Sequence, residues 1–212
     1  MSRLGAEVVI ATRNAGKVKE FAPIFEAKGM AVKSLLDVAG IPDIAEDGAT
    51  FAENALIKAS FTARYLGVPV VADDSGLCVD RLGGAPGVYS ARYAGEGAGD
   101  EANNRKLLAE LAAAGGSPPA APHGLAGGIQ PLSTARFVCS IALVDASGEL
   151  AAQSEGVCEG WILSAPRGAG GFGYDPLFYV PELGRTMAEL TVAEKNRISH
   201  RGKAIEQLWK LI

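Results

Sequence analysis

Cysteine and histidine are scarce in this chain, and each shortage removes a class of function. The three cysteines, Cys78, Cys139 and Cys158, are widely separated and form no C-x-x-C pair. A dispersed, odd set makes neither a disulfide scaffold nor a thiolate zinc centre, and it points to reduced thiols and a cytoplasmic setting. Two histidines, His123 and His200, cannot build a multi-histidine zinc site. Any metal is then expected on oxygen ligands, which favours Mg2+, with Mn2+ as the second choice. Basic excess is missing too. The formal net charge is −4, which argues against a dedicated nucleic-acid binder but not against a small anionic ligand. No apolar run approaches the roughly 20 residues that span a bilayer, and residues 1–5 lack the apolar core of a signal peptide. Neither a membrane nor a nucleic-acid partner is expected.

What is present suits an α/β protein. With 212 residues, 48% of them hydrophobic, the chain can bury a substantial core. The first half alternates strand and helix signals. Glu7-Val8-Val9-Ile10-Ala11 reads as a strand, and a helix with Val18, Phe21, Ile24 and Phe25 on one face follows a short polar loop. Pro23 either weakens that helix or lies near its start. A second strand is expected near Val32, then an acidic loop with Asp43, Glu46 and Asp47. Thr50 and Glu53 have capping-box spacing and open a helix to about Leu66, stopped by Gly67 with Pro69 beyond. Residues 100–114 read as another helix.

The second half changes character. Residues 115–133 are rich in glycine and proline and read as a flexible low-complexity loop, with His123 in it. Strands are expected over 135–145, 149–156 and 157–163, with a turn at Ser147-Gly148, as an antiparallel meander. Thr191 to Glu194 is a second capping box, and Ser199 opens a last helix carrying Ile205, Leu208, Trp209 and Ile212. The change of pattern suggests two lobes with an active-site cleft between them.

Four stretches carry chemistry. The first is the strand–loop–helix at Thr12-Arg13-Asn14-Ala15-Gly16-Lys17, a phosphate-friendly geometry that lacks the full Walker A pattern. The second is Val70-Val71-Ala72-Asp73-Asp74-Ser75-Gly76, read as a buried strand ending in paired acids at its tip. That stretch is either an Asp-Ser-Gly turn or a place to hold a divalent cation and activate water. The third is Gly171-Phe172-Gly173-Tyr174-Asp175, where glycines allow close approach and an aromatic ring can stack on a flat base. The fourth is the cationic group Lys195, His200 and Arg201 beside a helix start. Lys58, one turn beyond Glu53, is either a surface charge or a neighbour of the acids. Together these suit a metal–triphosphate with a flat base attached.

On those stretches, with Thr50-Phe51-Ala52-Glu53-Asn54-Ala55, Gly83-Gly84-Ala85-Pro86-Gly87, Tyr89-Ser90-Ala91-Arg92-Tyr93 and Ser199-His200-Arg201-Gly202, the chain resembles the Ham1-like inosine/xanthosine triphosphate pyrophosphatase family. The match runs in order over nearly all 212 residues. The resemblance implies a single two-lobed domain around a long mixed β-sheet with flanking helices. It implies hydrolysis of ITP, dITP and XTP to monophosphate and pyrophosphate, cleansing the nucleotide pool, with Mg2+ and usually as a homodimer. It places Thr12, Arg13, Asn14, Ala15, Gly16, Lys17 and Lys58 at the triphosphate. Asp74 becomes the general base and a metal ligand, with Ser75 on the substrate. Phe172, Gly173, Tyr174 and Asp175 enclose base and sugar, and Lys195, His200 and Arg201 complete base recognition. The acidic loop departs from the family, reading Ala45-Glu46 where two acids are usual. Glu46 or Asp47 would then substitute, and Glu46 is taken as the second metal ligand. A pyrophosphatase for modified pyrimidines and a non-catalytic nucleotide sensor are the competing readings.

Overall fold

The computed structural model describes residues 6–115, 120, 125 and 130–212. His123 and most of the 115–133 loop lie outside the described residues. Among the described residues, seven strands form one mixed sheet in the order β2-β1-β3-β4-β5-β6-β7. They are β1 (Glu7–Ile10), β2 (Ala31–Ser34), β3 (Val70–Val79), β4 (Pro131–Val144), β5 (Leu150–Leu163), β6 (Phe178–Val180) and β7 (Arg185–Thr186). β1 pairs in parallel with β2 and β3, whereas β5–β6 and β6–β7 are antiparallel. The expected mixed α/β sheet is therefore present.

Among the described residues, five α-helices accompany the strands: α1 (Ala15–Glu26), α2 (Phe51–Leu66), α3 (Gly99–Ala113), α4 (Val192–Ile198) and α5 (His200–Leu211). Their ends follow local chemistry. Thr50 and Glu53 close a reciprocal capping box on α2, and Gly67 ends it in the left-handed conformation at φ 68°. Thr191 and Glu194 do the same for the start of α4. Pro23 lies inside α1, and that helix holds because Phe21 and Phe25, one turn apart, are fully buried. Each contributes about 1.5–3 kcal/mol by leaving water, comparable to what an interior proline costs.

Two strand expectations need correction. Asp73-Asp74-Ser75-Gly76 is not the tip of a strand, since β3 runs unbroken for ten residues through it. Turn-favouring residues are carried as strand because β3 sits inside the sheet, between β1 and β4. Likewise, 149–156 and 157–163 form one 14-residue strand, β5. Gly156 looks like a break but answers to a close approach. A Cβ there would overlap the His200 carbonyl and the Ala204 amide of α5. The loop expected to end at 133 also gives up its last three residues to β4.

The chain divides into two compact units. The first comprises Met1–Asp74, Cys139–Gly156 and His200–Ile212. It has one core built on Val8, Ile10, Phe21, Phe25, Ile141, Ile205 and Leu208, and another on Val9, Ala55, Ala59, Val70 and Ala142. The second comprises Ser75–Val138 and Val157–Ser199, with a core that includes Leu77, Leu107, Phe137, Ile162, Tyr174 and Phe178.

Candidate active site

In the first unit the loop after β1 is organised by its own side chains. Thr12 Oγ1 accepts from the Asn14 N–H at 3.2 Å, and Asn14 Oδ1 accepts from the Lys17 N–H at 3.1 Å, capping α1. The first turn of α1 holds no acid, so the positive end of its dipole is not neutralised from within. Arg13 turns to the acidic loop instead, donating to Asp43 at 2.8 Å and to the Ile41 carbonyl at 2.5 Å. Ala15 is exposed and Gly16 half-buried at the helix start.

Asp73 and Asp74 follow one another along β3, and alternation sends them to different partners. Asp73 is buried against cations: Lys17 Nζ lies at 2.9 Å and Arg201 Nη2 at 3.2 Å, with the Cys139 thiol donating at 3.9 Å. Arg201 is itself bound by Glu20 of α1 and packs 5.7 Å from the Phe21 ring centre. Burial pushes the Asp73 carboxyl up, but Lys17, Arg201 and Lys58 outweigh it and hold Asp73 well below the usual carboxylate range. Burial also raises the Cys139 thiol, so it is not a thiolate at neutral pH.

Asp74 meets α2. Its Oδ1 accepts from Lys58 Nζ at 3.2 Å and its Oδ2 from Asn54 Nδ2 at 3.1 Å. Lys58 also donates to Glu46 at 2.7 Å, so one ammonium links two carboxylates. Asn54 Oδ1 accepts from the Gly48 N–H at 2.8 Å, fixing the loop that carries Glu46. A Cβ on Gly48 would crowd Asn54 and Glu53. Burial raises the Asp74 carboxyl above its ordinary value; Lys58 and Lys17 oppose that, and Glu46 and Asp73 add to it. For Lys58, burial acts to lower the ammonium, but Asp74, Asp73 and Glu46 outweigh it and raise it. Among the described residues, no group of three or more His, Cys, Asp or Glu side chains is placed to hold a metal.

The second unit contains the glycine–aromatic loop. Asp175 Oδ2 accepts from the Phe172 N–H at 2.9 Å and from Lys195 Nζ at 2.5 Å. Lys195 Nζ also lies 4.8 Å from the Phe172 ring centre, a cation–π distance. Gly171 is left-handed at φ 74°, and a Cβ there would run into the Asp175 carboxylate. Phe172 is half-buried. Tyr174 is buried in the core, its hydroxyl donating to the Ser90 carbonyl at 2.9 Å.

A model of the Ham1 family matches residues 8–211. The dITP/XTP pyrophosphatase of Geobacillus kaustophilus is 55% identical over 202 residues, 95% of this chain and 92% of that protein. The dITP/XTP pyrophosphatase of Bacillus subtilis is 49% identical over 207 residues, 97% and 96% of the two chains. The structure of a HAM1 protein from Coxiella burnetii superposes with a TM-score of 0.80 at 43% identity, covering 95% of each chain. The chain belongs to the Ham1 family. The Staphylococcus aureus Ham1 protein gives a TM-score of 0.74 at 41% identity over the same shares.

For this Ham1-family chain, the expected residues fall into groups by contact. Lys17 and Arg201 converge on Asp73, Lys58 joins Asp74 to Glu46, and Lys195 joins Asp175 to Phe172. Ser75 is half-buried in β3. His200 is buried at the start of α5. Tyr174 and Arg201 are both buried. Tyr174, expected beside base and sugar, belongs to the core cluster that includes Leu77, Leu107 and Phe178. The Arg201 guanidinium, expected at a base, is 1% exposed and engaged by Glu20 and Asp73.

Two participants escaped the sequence reading. Asn54 lies one turn before Lys58 on α2, so both reach Asp74 from the same helix face; the i, i+4 spacing was the available signal. Glu20, buried at 3% exposure on α1, had no local signal, because its partner Arg201 is 181 positions away.

Proposed function

We propose that this chain hydrolyses the triphosphates of deaminated purines, ITP, dITP and XTP, to the monophosphate and pyrophosphate. The name shared by relatives about half identical over nearly the full chain supports that substrate class. The observation that carries the mechanism is the different setting of two adjacent acids. Asp73 is ion-paired with Lys17 and Arg201, and a carboxylate held that low does not take a proton at neutral pH. Asp74, raised by burial and held in orientation by Asn54 and Lys58, is the better acceptor for the proton of an attacking water.

The donor set at Asp74 and Glu46 fits Mg2+. Both are hard carboxylate oxygens, tied together by Lys58, and Mg2+ commonly takes one or two carboxylates with the rest from phosphate and water. When bound, the ion supplies charge neutralisation on the polyphosphate. Asn14 and Thr12 set the turn that aims the start of α1 and Lys17 at anionic oxygens, with Arg13, Ala15 and Gly16 in the same loop. Lys58 adds a buried cation, and Ser75 follows Asp74 on β3. Phe172 offers the ring for stacking, Gly173 permits close approach, and Lys195 with Asp175 offers polar groups for the base and sugar. His200 belongs to base recognition in this reading, while Arg201 acts by holding Asp73. A homodimer in the cytosol, without a nucleic-acid partner, is part of the same proposal and rests on the resemblance.

The test is pyrophosphate release from ITP, dITP, XTP, dATP and a modified pyrimidine triphosphate, by wild type and Asp74→Asn. Turnover of the 6-oxo purines at least ~10²-fold above dATP is expected, with a loss on the order of 10³ in the variant and an unchanged circular-dichroism spectrum. Equal rates on dATP, or a near-normal Asp74→Asn, would reject the reading.

A further inference from the structure

The loop that presents Phe172 is gripped from a helix to which neither motif nor spacing assigned a role. Asp100 and Asn104 stand one turn apart on α3, on the same face. Asp100 Oδ2 accepts from the Gly173 N–H at 2.6 Å, and Asn104 Nδ2 donates to the Gly173 carbonyl at 2.9 Å. The two peptides flanking Gly173 are therefore both held by one helix. Gly173 itself is left-handed at φ 62°, a conformation that an L side chain adopts only under strain.

These bonds fix the backbone around Phe172. Its own N–H is held by Asp175, and the peptide after it is held by Asp100. The Phe172 backbone is thus pinned on both sides, while Lys195 lies over its ring at 4.8 Å. A stacking platform works by being in place before the base arrives, because ordering it afterwards subtracts from affinity. The helix is in turn fixed to the preceding segment. Asn103 accepts from the Ala94 N–H at 2.8 Å and donates to the Ala91 carbonyl at 3.2 Å, and Leu107 and Leu111 are buried.

We propose that Asp100 and Asn104 are positioning residues that clamp the Gly173 peptides and so hold the Phe172 ring ready for a flat purine base. This rests on the proposed nucleotide reading and adds to it the device that sets base affinity. The clamp's two hydrogen bonds go to the loop backbone, and it has no part in proton transfer. Its loss should therefore appear in KM and in base discrimination and spare kcat.

Steady-state kinetics on ITP and dATP with wild type, Asp100→Ala, Asp100→Asn and the double variant Asp100→Ala/Asn104→Ala test it, with Glu101→Ala as a same-helix control. The double variant is expected to raise KM for ITP about 10-fold, with kcat within twofold and the thermal midpoint within a few degrees. Asp100→Asn should recover most of the KM, because its amide oxygen can still accept from the Gly173 N–H. Glu101→Ala should behave as wild type. An unchanged KM in the double variant overturns the clamp. So does a loss that falls on kcat in step with the thermal midpoint and is not rescued by Asp100→Asn, since that is the signature of a merely structural helix. A wild type that releases no pyrophosphate from any purine triphosphate overturns the nucleotide reading itself, and the clamp with it.

Discussion

Asp73 and Asp74 are chain neighbours held by different lysines: Lys17 lies 2.9 Å from Asp73, and Lys58 lies 3.2 Å from Asp74. The pairing follows from one property of β-strands, that consecutive side chains leave on opposite sides. It gives two acids with one sequence context two environments. One is a buried, charge-balanced set in which Glu20 and Asp73 face Lys17 and Arg201. The other keeps a raised carboxyl beside a half-exposed second acid, Glu46.

Asp73 should be a stability residue. Removing one partner of a buried ion network strands its cations, which costs about 3–5 kcal/mol. Asp73→Asn is therefore expected to lose that much in urea unfolding at pH 7 in metal-free buffer. The pH dependence has a definite sign. The folded carboxyl lies below its ordinary value of 3.8, so its contribution is fully present above about pH 5 and is lost as pH falls toward the folded value. The gap between wild type and variant should stay constant from pH 7 to 5 and shrink below about pH 4. Equal unfolding midpoints at pH 7 would refute the assignment.

Asn54 should matter through two bonds at once. It donates to Asp74 and anchors Gly48, two residues from Glu46. Outer partners of this kind are typically worth 10–100-fold. Asn54→Ala is expected to lower kcat/KM for ITP by roughly that factor, and more than Glu53→Ala, which removes the α2 capping box and the bond from the Ala49 N–H but no contact to Asp74. Circular dichroism and the thermal midpoint separate a loss of alignment from a loss of fold. A variant with full activity would leave Asn54 as an ordinary buried amide.

Legibility in the sequence depended on whether the deciding interaction was local. The α2 boundaries were readable because Thr50, Glu53 and Gly67 are the cap residues themselves. In sequence, β3 reads as ending in the paired acids Asp73-Asp74 because Asp, Ser and Gly favour turns in isolation, whereas here the sheet overrides them. Gly156 looked like a strand boundary because nothing nearby in sequence reveals α5 pressing on it. The chemistry-bearing residues were legible as types at motif spacings, which also identified the family. Their pairings were not. That Arg201 meets Glu20 and Asp73, and that Asp100 meets Gly173, follows only once the chain has folded.

Glu46 tests whether a single acid beside Asp74 suffices to hold a metal. Lys58 binds Glu46 at 2.7 Å and Asp74 at 3.2 Å, so the second carboxylate shares a cation with the proposed base. If Glu46 is a Mg2+ ligand, Glu46→Gln keeps its size and removes the charge that holds the ion. The half-saturating Mg2+ concentration for pyrophosphate release should then rise about 10-fold, with kcat largely recovered at saturating Mg2+. Chelation with EDTA should silence wild type and variant alike, and added Mg2+ should restore both. A Glu46→Gln enzyme with the wild-type Mg2+ requirement would move the second ligand elsewhere, and Asp47→Asn, assayed in parallel, would show whether it is the adjacent acid. A variant whose kcat stays low at saturating Mg2+ would instead tie Glu46 to the alignment of Lys58 and Asp74.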